Sequence, residues 1–277
     1  MRLTSPGLFL TLGMLGLGLP PAAATAAEPL AHNPKGCQQL PALIDLRPQL
    51  TEWGLGPRLQ GGRPTCSVCT FTGALEFAVA HSRKHGERLS PEFLNWAANQ
   101  TGRAARDGGF FTDMWDGFAR HGICSEAKMP YLAKFDPARS PDPAGRADAK
   151  TILALGLQLH WIKKWNVTTG LSDDELAGIK NTLNQGWPVC GGFRWPKQAH
   201  WQNAVLQMCP AEDVFDGHSV LLVGYSDAAD QPGGGTFVFR NSNGDGRDGS
   251  MPYAYARAYM NDAVWVESAV KPPATQP

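Results

Sequence analysis

The sequence predicts an α+β protein organised as two lobes, and three observations carry the prediction. Between Cys66 and Gly122, apolar residues recur at helical spacing behind helix-start signals. After Thr151, most segments are short β-branched and aromatic runs bounded by glycine and proline. Between these halves, Pro130 to Ala149 is rich in Pro, Ala and Asp, a composition that marks a boundary.

The N-terminus reads as a targeting segment. Arg2 is followed by the apolar run Leu8 to Leu19 and then by Ala24-Thr25-Ala26, a small-x-small cleavage pattern. The run, about 12 residues, falls short of the roughly 20 needed to span a bilayer. Residues 1–27 are therefore expected to be a cleaved secretory signal, with a retained anchor as the alternative. The mature chain is expected to be secreted or periplasmic, with no membrane attachment after cleavage. Residues 28–44 read as a polar leader, and Ala42 to Arg47 as a brief strand.

The turn residues Gly61, Gly62 and Pro64 deliver Cys66 to the start of a helix expected to reach about His85 and end at Gly86. Val68, Phe71, Leu75, Ala78 and Val79 form its apolar face. Ser90-Pro91-Glu92 opens the next helix with a capping hydroxyl, a first-turn proline and an acid. Asp107-Gly108-Gly109 is a turn, Thr112 is the expected cap of a third helix, and Gly122 its end. Thr151 to His160 reads as a strand. Ser172 and Glu175 form a capping box for a helix ended by Gly186. Pro188 to Phe193, His218 to Tyr225, Thr236 to Arg240, Tyr253 to Tyr259 and Ala263 to Ser268 read as strands.

Basic and acidic residues balance at 25 each, with no basic stripe, so no nucleic-acid partner is expected. The chemistry centres on Cys66. A thiol at a helix N-terminus lies beside unpaired N–H groups and the positive end of the helix dipole, both of which favour the nucleophilic thiolate. Among seven histidines, His218 stands out because it follows Asp216-Gly217 at the mouth of the apolar run Val220 to Tyr225. The next strand delivers Asn241, whose amide oxygen would orient an imidazole. Taken singly, each residue has an ordinary reading: a satisfied strand-end histidine, a strand-end asparagine cap, a turn glutamine at Gln60. Cys66-x-x-Cys69 has redox and zinc readings too. No thioredoxin-like strand–helix–strand pattern surrounds it and no second Cys/His pair lies nearby, so neither cofactor nor metal is expected. Six cysteines occur; export permits disulfides, and Cys190–Cys209 is the candidate bridge, with two small buried side chains as the alternative.

The order of these segments resembles the papain-like cysteine peptidases along nearly all of the mature chain. Gln60 lies six residues before Cys66 and Glu76 ten after it, as in that family. Leu89-Ser90-Pro91-Glu92, Gly108-Gly109, Gly122-Ile123-Cys124-Ser125-Glu126 with Pro130-Tyr131, Gly217-His218-Ser219-Val220 and Asn241-Ser242 are similar to its other signatures. The spacing selects Cys66 over Cys69 as the attacking residue. The resemblance implies a helical lobe at 45–150, a β-barrel-like lobe at 151–277 and a cleft between them. It implies peptide-bond hydrolysis in which Cys66 attacks, His218 transfers protons, Asn241 orients His218, Gln60 stabilises the oxyanion, and Gly108 and Gly109 bind an extended substrate backbone. A peptide or protein substrate is the implied partner.

Three departures accompany it. Ser67 stands in place of the aromatic after the nucleophile. Asn243 stands in place of the tryptophan that shields the Asn–His hydrogen bond, so a weaker bond and a wider cleft are expected there. About 17 residues separate the expected cleavage site from Asp45, too few for a long inhibitory propeptide. The departures leave two alternatives: a catalytically silent peptide- or partner-binding relative, and an amidase or transpeptidase acting on cell-wall peptides.

Overall fold

The structure, a computed structural model, describes residues 40–268 except 167, 169 and 245. The expected signal segment and most of the leader lie outside the described residues, as does Cys37. Strand β1 (Leu43–Asp45) and helix α1 (Arg47–Glu52) lead into α2 (Cys66–Arg83), α3 (Pro91–Asn99), α4 (Phe111–His121) and α5 (Pro143–Leu153). Then come β2 (Gln158–Lys163), α6 (Asp173–Asn184), β3 (Val189–Pro196), β4 (Trp201–Gln202), β5 (Val205–Leu206), β6 (Val214–Asp227), β7 (Gly235–Arg240), β8 (Asp248–Pro252), α7 (Tyr253–Tyr259) and β9 (Met260–Glu267).

Two helix starts follow the sequence signals. Ser90 Oγ accepts the Phe93 N–H at 2.9 Å, and Ser172 and Glu175 exchange reciprocal bonds of 3.2 and 2.8 Å. Other expectations need correction. Helix α2 stops at Arg83 because Lys84 adopts a left-handed conformation, φ 61°, two residues before Gly86. Helix α4 starts from Phe110, whose N–H is taken by the Asp113 carboxylate at 3.1 Å, so Thr112 lies inside the first turn. Residues 143–153 are not connector or strand but α5, opened by Asp142 accepting the Gly145 N–H at 2.6 Å with Pro143 in the first turn. Tyr253 to Tyr259 is helical: its Tyr/Ala alternation imitates a strand, but alanine is the strongest helix former and Tyr255, Ala256 and Tyr259 bury one side.

Among the described residues, nine strands form one sheet in the order β2-β9-β3-β6-β7-β8-β5-β4, with β1 also paired to β6. Strand pairing is antiparallel except for β5–β8. The fourteen-residue β6 is the centre, and its alternation divides two cores. Leu221 and Val223 meet Phe71, Leu75 and Ala78 of α2 on one face. Val220 and Leu222 meet Ile179 and Leu183 of α6 and Tyr255 of α7 on the other. Each fully buried Leu, Val or Phe of this kind contributes about 1.5–3 kcal/mol. The first core thus fastens the N-terminal end of α2, with Cys66, against the strand that carries His218. Among the described residues, no helix is long and apolar enough to cross a membrane.

Candidate active site

Arg63 fixes the turn before Cys66. Its side chain, 3 % exposed, meets Glu92 at 2.5 Å and Asp107 at 2.7 Å, and lies over the Tyr131 ring at 4.5 Å. Tyr131 Oη donates to the Gln60 carbonyl at 2.9 Å. Glu76, deeper in α2, pairs with Arg58 and accepts the Leu89 N–H at 2.8 Å. These buried charges are all partnered, as burial requires, and they hold Gln60 and Cys66 in one rigid frame.

The Gln60 side chain is oriented at both ends. Its Nε2 donates to the Arg63 carbonyl at 2.9 Å and its Oε1 accepts from Ser242 Oγ at 2.8 Å. One of the two amide N–H donors is thereby used. Ser242 follows Asn241, so this bond ties the Cys66 wall to the His218 wall.

His218 lies near the start of β6, 5 % exposed. Its Nε2 bonds Asn241 Oδ1 at 2.9 Å, and the same oxygen accepts the Asn243 N–H at 3.1 Å. An oxygen already accepting must accept from the ring too, so Nε2 carries the proton and Nδ1 keeps its lone pair. Burial lowers the His218 pKa, opposed by the bond to Asn241. The partly exposed Cys66 thiol donates to the carbonyl of Gly217, the residue before His218, at 3.5 Å. Burial pushes this thiol up, opposed by N–H groups of Ser219, Ser67 and Cys66 itself and by the Ser219 hydroxyl. The expectation of a thiol pKa lowered by its helix end is therefore corrected: desolvation outweighs those donors in this arrangement.

Cys69 sits one turn further into α2, 6 % exposed, and burial pushes its thiol up to about 11. It is a small core side chain. The expected Cys190–Cys209 bridge is absent, both residues being free; Cys190 is fully buried between α2 and the sheet, its thiol 3.7 Å from the Thr70 carbonyl.

Gly108 and Gly109 form part of the opposite lip, with φ of 67° and 144°. A Cβ on Gly108 would stand 2.5 Å from the Pro64 carbonyl, so glycine is needed for close approach as well as conformation. Both N–H groups are used within the protein: Gly108 donates to Asn95 Oδ1 at 3.1 Å and Gly109 to Ser67 Oγ at 3.2 Å. Ser67 thus positions the glycine lip. A cavity of about 420 Å³ opens between Gly109 and His218.

The sequence matches no protein-family model and no curated protein. Solved structures do match. Xylellain, a cysteine protease from Xylella fastidiosa, aligns with TM-score 0.63 and 22 % identity over 83 % of this chain and 87 % of that one. Digestive procathepsin L 3 of the Tenebrio molitor larval midgut aligns with TM-score 0.60 and 21 % identity over 87 % and 73 %. The ragweed pollen allergen Amb a 11, a cysteine protease in its proform, aligns with TM-score 0.57 and 18 % identity over 84 % and 67 %.

The chain has the papain-like fold. Within that fold, one residue near His218 escaped the sequence reading. Trp195 lies in β3 and is 7 % exposed. Its ring stands 4.5 Å from the His218 ring at 64°, and also contacts Phe239 and Tyr255. The resemblance places such a ring on the loop after Asn241, where this chain has Asn243; the ring beside His218 here comes from β3. The available signal was weak: Trp195 is two residues beyond Phe193, which pairs with His218 across the sheet, and that register is not readable from sequence.

Proposed function

We propose that this protein is an exported cysteine peptidase that hydrolyses peptide bonds through an acyl-enzyme. The observation that carries the reading is the His218 Nε2–Asn241 Oδ1 bond at 2.9 Å, with the Cys66 thiol against the residue preceding His218. That bond leaves Nδ1 as the proton acceptor, the form a general base requires.

In this reading Cys66 leaves the Gly217 carbonyl and gives its proton to His218 Nδ1. The sulfur attacks the scissile carbonyl carbon. The second N–H of Gln60 Nε2 and the Cys66 backbone N–H stabilise the oxyanion, a donor of this kind contributing about 2.7–4 kcal/mol. His218 returns the proton to the leaving amine, then takes one from water, which attacks the thioester and frees Cys66. Burial works against both charged forms, while the bond to Asn241 favours the imidazolium and the N–H groups around the sulfur favour the thiolate. The glycine lip would meet substrate backbone through its carbonyls, or by displacing Ser67. Export rests on the composition of residues 1–27 alone.

The test is hydrolysis by the mature chain of casein and, separately, of peptidoglycan stem peptides. Cleavage of casein that is abolished by Cys66→Ala supports the peptidase reading. Cleavage of stem peptides only would move the acceptor to the cell wall, and cleavage of neither would leave a silent binding protein.

A further inference from the structure

Ser219 follows His218 in β6 and plays no part in the chemistry above. Side chains alternate along a strand, and packing identifies the two faces of β6. Leu221 and Val223 enter the core shared with α2. Leu221 lies against Gly73 of α2, where a Cβ would stand 3.1 Å from it. Across the sheet Leu221 pairs with Cys190, whose thiol is 3.7 Å from the Thr70 carbonyl of the same helix. The pairs Cys190–Leu221, Gly191–Val220 and Gly192–Ser219 follow without a bulge, so Ser219 shares the face of Leu221. The Cys66 thiol lies 3.5 Å from the Gly217 carbonyl, so this end of β6 meets the first turn of α2. Ser219 is 8 % exposed and borders the cleft. Its cross-strand neighbour Gly192 brings no side chain to compete for the hydroxyl. Among the described residues, no carbonyl or carboxylate accepts from that hydroxyl.

Ionisation changes what the sulfur needs. As a thiol, Cys66 donates to the Gly217 carbonyl. Once its proton has passed to His218 Nδ1, the sulfur is an acceptor only, and a carbonyl has nothing to give it. Two residues along the same strand, Ser219 offers a backbone N–H and a hydroxyl, and both favour the anion of Cys66. The hydroxyl proton can rotate toward the sulfur. A bond to a charged acceptor is roughly twice as strong as a neutral one, so the hydroxyl contributes most in the state that attacks. Gly217 and Ser219 are thus alternative partners of one sulfur, the first for the thiol and the second for the thiolate.

We propose that the Ser219 hydroxyl is a hydrogen-bond donor to the Cys66 thiolate, a further catalytic group acting beside the His218 imidazolium. The assignment rests on the peptidase reading for Cys66 as nucleophile, but its test needs no turnover.

The experiment follows iodoacetamide labelling of Cys66 against pH in the unsubstituted protein, Ser219→Ala and Ser219→Thr, with the labelled residue located by peptide mapping. Ser219→Ala deletes one oxygen at the cleft and leaves the packing of β6 in place. Loss of a hydrogen bond to a charged group is expected to raise the midpoint of the labelling curve by about one pH unit. Below the midpoint the rate should fall roughly tenfold. Above it the rate should be equal or higher, because a thiolate's nucleophilicity falls as its pKa falls. Ser219→Thr keeps the hydroxyl on a side chain suited to a strand and should restore the midpoint. The same shift is expected in a His218→Ala background, where the imidazole no longer contributes. The other charged or titratable groups near the sulfur are Arg106 and Asp107 before α4, Asp262 on β9 and Cys69 one turn along α2. They are the same in every variant and cancel in the comparison. An unmoved midpoint overturns the proposal. So does a rate reduced by one factor at every pH, which would make Ser219 part of the cleft's shape only, and so does a shift that Ser219→Thr fails to reverse. Should the midpoint move while the unsubstituted protein hydrolyses no peptide, the peptidase reading fails and the Ser219 assignment stands.

Discussion

The Trp195 ring stands 4.5 Å from the ring of His218, edge against face, and buries the imidazole from the β3 side. The two residues come from neighbouring strands of one sheet, so the contact is held by register and not by a loop. A histidine dried in this way keeps its bond to Asn241 out of competition with water. Asn243 therefore need not be a tryptophan for that bond to persist.

Trp195→Phe keeps most of the packing and removes part of the shield. We expect kcat/KM on a peptide to fall severalfold with KM little changed, while the unfolding midpoint shifts only modestly. Trp195→Ala should in addition destabilise by about 3–5 kcal/mol, as large-to-small changes in a core do. Steady-state kinetics and urea unfolding separate the two effects. An unchanged kcat in Trp195→Phe would make the tryptophan a core residue only.

Asn241→Ala removes the acceptor that sets the His218 tautomer. A net hydrogen bond of about 0.5–1.5 kcal/mol predicts a loss of up to roughly tenfold in kcat/KM. Asn241→Gln, with the same amide on a longer stem, should recover part of it. The measurement is hydrolysis across pH. Full activity in Asn241→Ala would remove the asparagine from the mechanism.

Arg63 tests the frame. With Arg63→Met, Glu92 and Asp107 stay buried without their cation, and loss of one partner from such a group costs about 3–5 kcal/mol. We expect a markedly lower urea midpoint and slower hydrolysis from a loosened Cys66 turn. Equal stability would show that the network is replaceable.

Asp262 gives a pH signature in stability. Its native pKa of about 7 lies above the ordinary value of 3.8, so between those values the native state holds a proton that the unfolded state releases. Its contribution is present below 3.8 and is lost as pH rises towards 7. Asp262→Asn lacks this loss, so its melting temperature should gain on that of the unsubstituted protein between pH 4.5 and pH 8. Lys163 faces the same group and opposes the rise, and the Asp262 pKa still stands at about 7. His81, His121 and His218, all lowered by burial, work in the opposite sense, losing stability as pH falls through 6.5, and cancel in the comparison. A difference independent of pH would contradict the raised pKa of the buried Asp262 carboxyl.

Much of this site was legible because its parts are local. Cys66 at a helix start, the Ser90 and Ser172 caps, and the His218 and Asn241 strands each announce themselves within a few residues. Helix α5 was hidden because the Pro, Ala and Asp of 130–149 read as a boundary until the helix is seen to pack on α4. Helix α7 was hidden by its two-residue alternation. Trp195 and Asp262 could not be found at all from local pattern. Their positions beside His218 and the cleft depend on how β3 lies between β6 and β9, a long-range pairing with bulges at Phe193. The direction of the Cys66 pKa was misjudged for a related reason: the helix end is visible in sequence, but the burial that outweighs it is not.

The central claim is that His218 is the proton acceptor for Cys66. The most direct test is the rate of iodoacetamide labelling at Cys66 across pH, with and without His218→Ala, the labelled residue identified by peptide mapping. The account predicts that the unsubstituted protein is labelled at least several times faster than His218→Ala near pH 6, and that the two rates converge at high pH, where the thiol ionises unaided. Identical rates at every pH would show that the imidazole does not act on the sulfur, and would contradict it.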